Sequence, residues 1–228
     1  MSGDPILPKR PYTWARQHIL DSFAAERAIE WRRSLDEHEE LAFRVEGRDC
    51  LLALWSGSAT LEVSTTQPIL PPSLRLNEAT VWGHQREEEI WTGAAVRAGD
   101  PAFDRAYVIL GAGPNVRPSE EEARSLAPEL KSLLLKRRSE LEDATLEPER
   151  LKLWVASSGR AGPPPSLEGA RDRVLWTLGV AFLGFRYIPS ARDLEAGLDR
   201  AVALAEALEA IRTGSAAAAP APATESRN

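Results

Sequence analysis

Leu41-Ala42-Phe43-Arg44-Val45-Glu46-Gly47-Arg48-Asp49-Cys50-Leu51-Leu52-Ala53-Leu54-Trp55 is the stretch on which the fold turns. Leu41, Phe43 and Val45 alternate with Ala42, Arg44 and Glu46, the period-two pattern of a strand with one buried face. Gly47 interrupts the run. From Asp49 to Trp55 the chain is then almost continuously apolar, as a strand covered on both faces would be. Ser56-Gly57-Ser58 signals a second turn, after which Ala59, Leu61, Val63 and Thr65 alternate again. Three such runs joined by short turns predict an antiparallel meander.

Upstream, residues 12–40 read as helix. Leu20, Phe23, Ala24, Ala28, Trp31 and Leu35 recur at steps of three or four, and Glu26, Arg27, Glu30, Arg32 and Arg33 fall between them. Pro11 stands before the start, where proline is tolerated. Downstream, Pro68, Pro71 and Pro72 punctuate the chain, and two weaker strands are expected over 74–82 and 89–96. Gly99-Asp100-Pro101 reads as a turn. A strand is expected over 105–110, with Tyr107 and Ile109 facing opposite to Val108.

Ser119 followed by Glu122 is a capping-box pair that opens a helix. Pro128 breaks or kinks that helix before it resumes over 130–141, burying Leu126, Leu130, Leu133 and Leu134. A hairpin is expected around Pro148-Glu149, from residues 144–146 and 151–156. Residues 159–165 read as loop and 166–183 as helix, weakened by Gly179 and Gly184. A last helix over 191–212 buries Leu194, Leu198, Ala201, Val202, Ala205, Leu208 and Ile211. Residues 213–228 hold almost no large apolar side chain and are expected to be disordered. The expected architecture is α+β: a largely antiparallel sheet, an N-terminal helix, a mid-chain helix and two C-terminal helices. Residues 1–11 form an extension, 12–212 one domain and 213–228 an Ala/Pro-rich tail.

The 228 residues suffice for one large domain with a full core. Cys50 is the one cysteine, so neither an intramolecular disulfide nor a cysteine zinc site can form, and a reducing compartment is expected. No apolar run follows the first residues as a signal peptide requires. The longest apolar run, from Val174 to Phe185, is short of the ~20 residues that span a bilayer, and reads as a buried element. A net charge of −6 argues against nucleic acid, whose binders carry basic faces. Lys136-Arg137-Arg138 is followed at once by Glu140 and Glu142, and reads as a solvated helix end.

Gly99-Asp100-Pro101-Ala102-Phe103-Asp104-Arg105-Ala106-Tyr107-Val108 resembles a pattern in uncharacterised bacterial domains: GD, two residues, FD, then a strand with an aromatic. The resemblance extends over residues 93–212, through a leucine-rich helix, a hairpin and a closing amphipathic helix. It implies an α+β bacterial domain and no activity. The abundance of Ala, Arg, Leu, Glu and Pro suits a high-GC bacterial genome.

Chemical motifs are sparse. Gly111-Ala112-Gly113 lacks the third small residue of a dinucleotide fingerprint, since Val116 occupies that place, and Pro114 removes an N–H. Neither a phosphate-loop motif nor GxSxG occurs. His18 and His38 are twenty residues apart on the predicted helix, a spacing unsuited to one metal ion. His84, with Glu87, Glu88 and Glu89 nearby, is a candidate acid–base group. Asp100 and Asp104 flank Phe103 and could hold a cation or act as a pair, although Asp before Pro is also a turn opener. Trp82, Trp91 and Trp55 could form an aromatic patch. The expectation is a non-catalytic interaction or scaffold protein of a bacterial cytoplasm. It would bind a protein partner or itself, without nucleic acid, membrane span, metal or cofactor. The alternative is an enzyme or small-ligand binder with a site near Trp82, His84, Asp100 and Asp104. Association of the Val174–Phe185 run with a membrane surface is a third reading, which its burial would remove.

Overall fold

The computed structural model describes residues 11–29, 39–54, 58–78, 94–113, 115–141, 144–158, 164, 167, 169–183, 185 and 188–217. The expected meander is present as β1 (Glu39–Val45), β2 (Arg48–Leu54) and β3 (Ser58–Ser64). Glu46 and Gly47 join β1 to β2 with φ of +51° and +79°. That is the mirror-image turn whose twist matches a two-residue hairpin.

Five more strands follow among the described residues: β4 (Leu74–Glu78), β5 (Ala95–Val96), β6 (Tyr107–Gly111), β7 (Ala144–Glu147) and β8 (Arg150–Ala156). All eight join one sheet in the order β1-β2-β3-β8-β7-β4-β6-β5. Every neighbouring pair is antiparallel. The β7–β8 hairpin, last of the strands in sequence, is inserted between β3 and β4. One row of side chains crosses the whole sheet in register: Phe43, Cys50, Val63, Leu151, Leu146, Leu76, Ile109 and Val96. It belongs to the main core. The chain is thus α+β with a largely antiparallel sheet, as its alternating runs require.

The described helices are α1 (Pro11–Glu26), α2 (Pro101–Ala106), α3 (Glu120–Arg124), α4 (Pro128–Lys136), α5 (Ala170–Leu178) and α6 (Ala191–Ala217). The core face of the sheet packs against α1 at β1 and against α6 at β3 and β8. Leu194, Leu198, Ala201, Val202, Ala205 and Leu208 form the buried stripe of α6. Gly197 allows the close approach, because a Cβ there would stand 2.7 Å from Val155 Cγ2.

Several boundaries differ from expectation. The first helix ends at Glu26 rather than near residue 40, and Glu39 and Glu40 lie in β1. Its end is closed by backbone bonds, Ala28 N–H to the Ala25 carbonyl (3.3 Å) and Ile29 N–H to the Ala24 carbonyl (2.8 Å). Ala28 supplies the left-handed residue at φ +52°. This is a Schellman stop, usually made with glycine, so the sequence carried no sign of it. Residues 30–38, with Trp31 and Leu35, lie outside the described residues. Gly99-Asp100-Pro101 does not simply turn. It starts α2, and the following strand begins at Tyr107 rather than Arg105. The expected strands over 74–82 and 89–96 are described only as β4 and β5.

Pro128 sits in the first turn of α4, separating it from α3 as predicted, and a 3-10 turn at Arg138–Glu140 ends the segment. The helix expected from residue 166 begins at Ala170 and continues from Gly179 to Leu183 as a π-helical turn. The Phe185 ring packs where a Cβ of Gly179 would be, 2.2 Å from Cε2. The last helix runs to Ala217, past the boundary expected at residue 212. Residues 218–228, in the expected tail, lie outside the described residues.

Candidate interaction surface

Of the four residues singled out for a ligand site, Trp82 and His84 lie outside the described residues, as do Trp55, Trp91 and His38. The structure describes Asp100 and Asp104, and both are engaged by backbone. The Asp100 carboxylate accepts from the N–H groups of Ala102 (2.9 Å) and Phe103 (3.1 Å), capping α2. Asp104 accepts from Ala98 (2.8 Å) and Gly99 (3.1 Å). Phe103 between them is buried and stacks on Tyr107, with ring centroids 5.0 Å apart. Four otherwise orphaned amides are satisfied this way, which is the local role an Asp-Pro turn opener predicts.

The other candidates are equally local. His18 lies edge-on to Trp14, 4.9 Å between centroids, with Nδ1 4.0 Å from Asp21. Gly111 is required because a Cβ there would stand 1.7 Å from the Val116 carbonyl oxygen. Ala112 N–H donates to the Ser73 carbonyl (2.9 Å) and the Gly113 carbonyl accepts from Val116 N–H (3.1 Å), so the Ala112 amide is taken up by the chain entering β4. Ser119 caps α3 through Glu122 N–H (3.2 Å). The return half of the capping box runs through a third residue: Ser119 N–H donates to Ser73 Oγ (3.3 Å), and that hydroxyl donates to Glu122. No group of three or more His, Cys, Asp or Glu able to hold a metal occurs among the described residues.

Among the described residues, two ion pairs built on a buried carboxylate escaped the sequence reading, one with a buried arginine and one with a partly exposed one. Arg48 on β2 and Glu209 on α6 are both buried and meet in a bidentate pair, Nη1 to Oε1 2.7 Å and Nη2 to Oε2 2.8 Å. Thr66 N–H also donates to Glu209, at 2.5 Å. The Arg48 guanidinium holds the Glu209 carboxyl below the usual range, against its burial. On the other side of the sheet order, Glu78 of β4 is buried and receives Arg138, Nε to Oε1 2.7 Å. Lys136-Arg137-Arg138 is therefore more than a solvated helix end. Tyr107 is opposite Glu78 in register and donates to the Leu134 carbonyl at 2.7 Å. Burial, with the Glu78 charge adding to it, raises the Tyr107 hydroxyl above the ordinary tyrosine range, so it serves as a neutral donor. Periodicity carried a signal for both acids. Glu209 falls one helical repeat from Val202 and Ala205, and Glu78 follows Leu74 and Leu76 at steps of two.

The outer surface is more informative. The Val174–Phe185 run was expected to be buried, and only part of it is. Leu175, Trp176 and Phe185 are in the core, whereas Val174 is 59% exposed and Leu178 37%. Val174 and Leu178 lie one turn apart on α5, with exposed Thr177 beside them and exposed Ala181 following. Tyr12, 39% exposed, meets Phe185 edge-on at 5.7 Å. Exposed Arg171 and Arg173 stand at the start of the row. No described helix is long and apolar enough to cross a membrane. On the open sheet face Trp154 is 45% exposed, opposite Thr60 and beside the Arg150–Glu62–Lys152 ion group. No protein-family model, curated protein or solved structure matches the chain.

Proposed function

We propose that the chain is a non-catalytic protein-interaction or scaffold module of a bacterial cytoplasm. The observation that carries this reading is the apolar row on the outer side of α5, Val174 and Leu178, bordered by Arg171 and Arg173. Exposed apolar side chains in a row, rimmed by charge, are the composition of a docking patch. A lipid surface asks for a longer amphipathic helix with a Lys/Arg-rich polar face. Here Asp172 sits between the two arginines of a nine-residue helix. The ligand-site alternative draws no support from Asp100 and Asp104, whose carboxylates accept backbone N–H groups.

Native mass spectrometry of the purified protein tests the class. Bare protein, as monomer or dimer, keeps the interaction reading. A retained metal or small molecule replaces it with the ligand-binding one. Affinity capture from the cell of origin tests the patch. Val174→Glu with Leu178→Glu, both outward, should lose a bound partner at least about tenfold, and equal recovery by both proteins would remove the patch from the account.

A further inference from the structure

We infer that two copies of the chain pair through β1, edge to edge and antiparallel, with Ala42 on the two-fold axis. The partner would thus be a second copy. The inference rests on the interaction reading for its class of function, but uses a surface separate from α5.

β1 ends the strand order, and no described residue pairs with its outer edge. The two-residue turn fixes which backbone groups that edge presents. Val45 and Arg48 close the hairpin as a hydrogen-bonded pair. Hydrogen-bonded pairs then recur at Phe43 and Leu41, so these residues turn N–H and C=O toward β2. Glu40, Ala42 and Arg44 turn theirs outward. An open strand edge of this kind is a template for another strand.

The side chains select the partner and the register. Centring two antiparallel copies of β1 on Ala42 places Glu40 opposite Arg44 of the partner subunit, and Arg44 opposite the partner's Glu40. Ala42 meets its own copy, and Leu41 faces the partner's Phe43 on the core side. Glu40, Ala42 and Arg44 are all exposed on the outer face. The three positions with outward backbone groups are therefore the ones that become hydrogen-bonded pairs, and the two outer pairs are of opposite charge. Charges on an edge strand usually discourage pairing. Arg44 keeps its Nε on Asp49 of the same subunit, 2.6 Å from Oδ1. Its remaining guanidinium N–H donors are left for the partner's Glu40, so the charges discourage foreign strands and are complemented across the two-fold axis in self-pairing. Such isologous contact closes as a two-fold dimer and joins two eight-stranded sheets into one.

Sedimentation velocity on the full chain, from about 1 to about 200 µM, should show reversible conversion of the 25.0 kDa monomer to a dimer. Ala42→Pro removes the central outward N–H without touching the β1–β2 ladder, a position where edge proline is tolerated. It should abolish the dimer and leave the monomer's circular dichroism unchanged. Glu40→Arg sets like charges opposite each other twice, and should weaken the dimer about tenfold or more. Because Arg44 also pairs with Asp49, adding Arg44→Glu together with Asp49→Arg to that variant restores opposite charges both across the two-fold axis and toward β2, and should restore dimerisation. A wild type monomeric throughout the range overturns the inference and leaves the α5 reading standing. A dimer indifferent to these variants, or one not recovered in the charge swap, also overturns it.

Discussion

The two halves of the sheet follow different rules. In β1, β2, β3 and β8 one face lies under α1 and α6 and the other is largely open: Glu40, Ala42, Arg44, Asp49, Arg150 and Trp154 are all exposed there, while Ala53 and Thr60 between them are buried. In β4, β6 and β5 both faces are buried. Leu76, Tyr107 and Ile109 join the main core, while Val108, Leu110 and Ala95 form a second small cluster behind them. Asn77, 3% exposed, lies in this second layer with its side-chain oxygen unpaired among the described residues. A half-open strand alternates, and its sequence declares itself. A strand covered on both sides loses that alternation, and its buried charge, Glu78, is held by Arg138.

The largest losses are expected where each half of the sheet is anchored. Arg48 and Glu209 tie the open half to α6 with two charge-assisted bonds between buried groups. Removing one partner leaves a buried charge uncompensated, so Glu209→Ala should cost about 3–5 kcal/mol in urea unfolding. Arg48→Met combined with Glu209→Leu should recover most of that loss. If the double variant is no better than the single one, the pair is more than a charge-matching device. The same bond sets an acid limit. The folded pKa of Glu209 is depressed by Arg48, so its contribution is fully present above the ordinary value of about 4.3. It is lost as pH falls through the folded value. The decline in the urea midpoint below about pH 4.3 should flatten in Glu209→Gln.

In the buried half the corresponding blow is steric. Gly111→Ala drives a Cβ to 1.7 Å from the Val116 carbonyl oxygen, a backbone atom with little freedom to move. The cost should be about 1–3 kcal/mol, and amide exchange should quicken at β6 and β4 before it does at β1 to β3. Uniform quickening would mean that the two halves unfold as one. A smaller change of opposite sign is expected at the end of α1: Ala28→Gly relieves a left-handed alanine, and should stabilise the fold by about 1 kcal/mol. The least effect belongs to the open face. Burial pushes the Glu62 carboxyl up, but Lys152 and Arg150 together carry it below the usual range. Those partners are substantially solvated, so Glu62→Gln should cost about 0–1 kcal/mol and less in high salt.

Legibility followed the same division. β1, β3, the Pro148-Glu149 hairpin and the stripe of α6 were readable because each has one buried face, and periodicity reports that directly. β2 was recognised by its near-continuous apolar run, but it is not covered on both faces along its length, since Asp49 is exposed and Leu51 only partly buried. Ser119 and Pro128 marked the ends of α3 and α4 by local chemistry. The stop of α1 was not readable, because the left-handed residue there is an alanine. Nor was α2, which Asp100 starts and which ends within six residues, too few to show a period. The row formed by Val174 and Leu178 was hidden because the run around it is apolar throughout, and a helix apolar on all sides reads as buried. The partners of Glu78 and Glu209 lie 60 and 161 residues away in sequence, beyond any local pattern. Of the candidate ligand residues, the local reading as a turn opener described Asp100, and the role of Asp104 toward Ala98 and Gly99 depended on a helix that had not been foreseen.

The insertion of the β7–β8 hairpin between β3 and β4 has a consequence for synthesis. A ribosome delivers β1 to β6 first, and the strands that join the two flanks come last. At roughly 5–20 residues per second, several seconds separate the emergence of Glu78 from that of Ala156. Throughout that interval β3 and β4, consecutive in the nascent chain, must wait with open edges and must not zip to each other. The hairpin acts as a keystone, and its two-residue turn at Pro148-Glu149 shortens the wait by letting β7 and β8 arrive already paired.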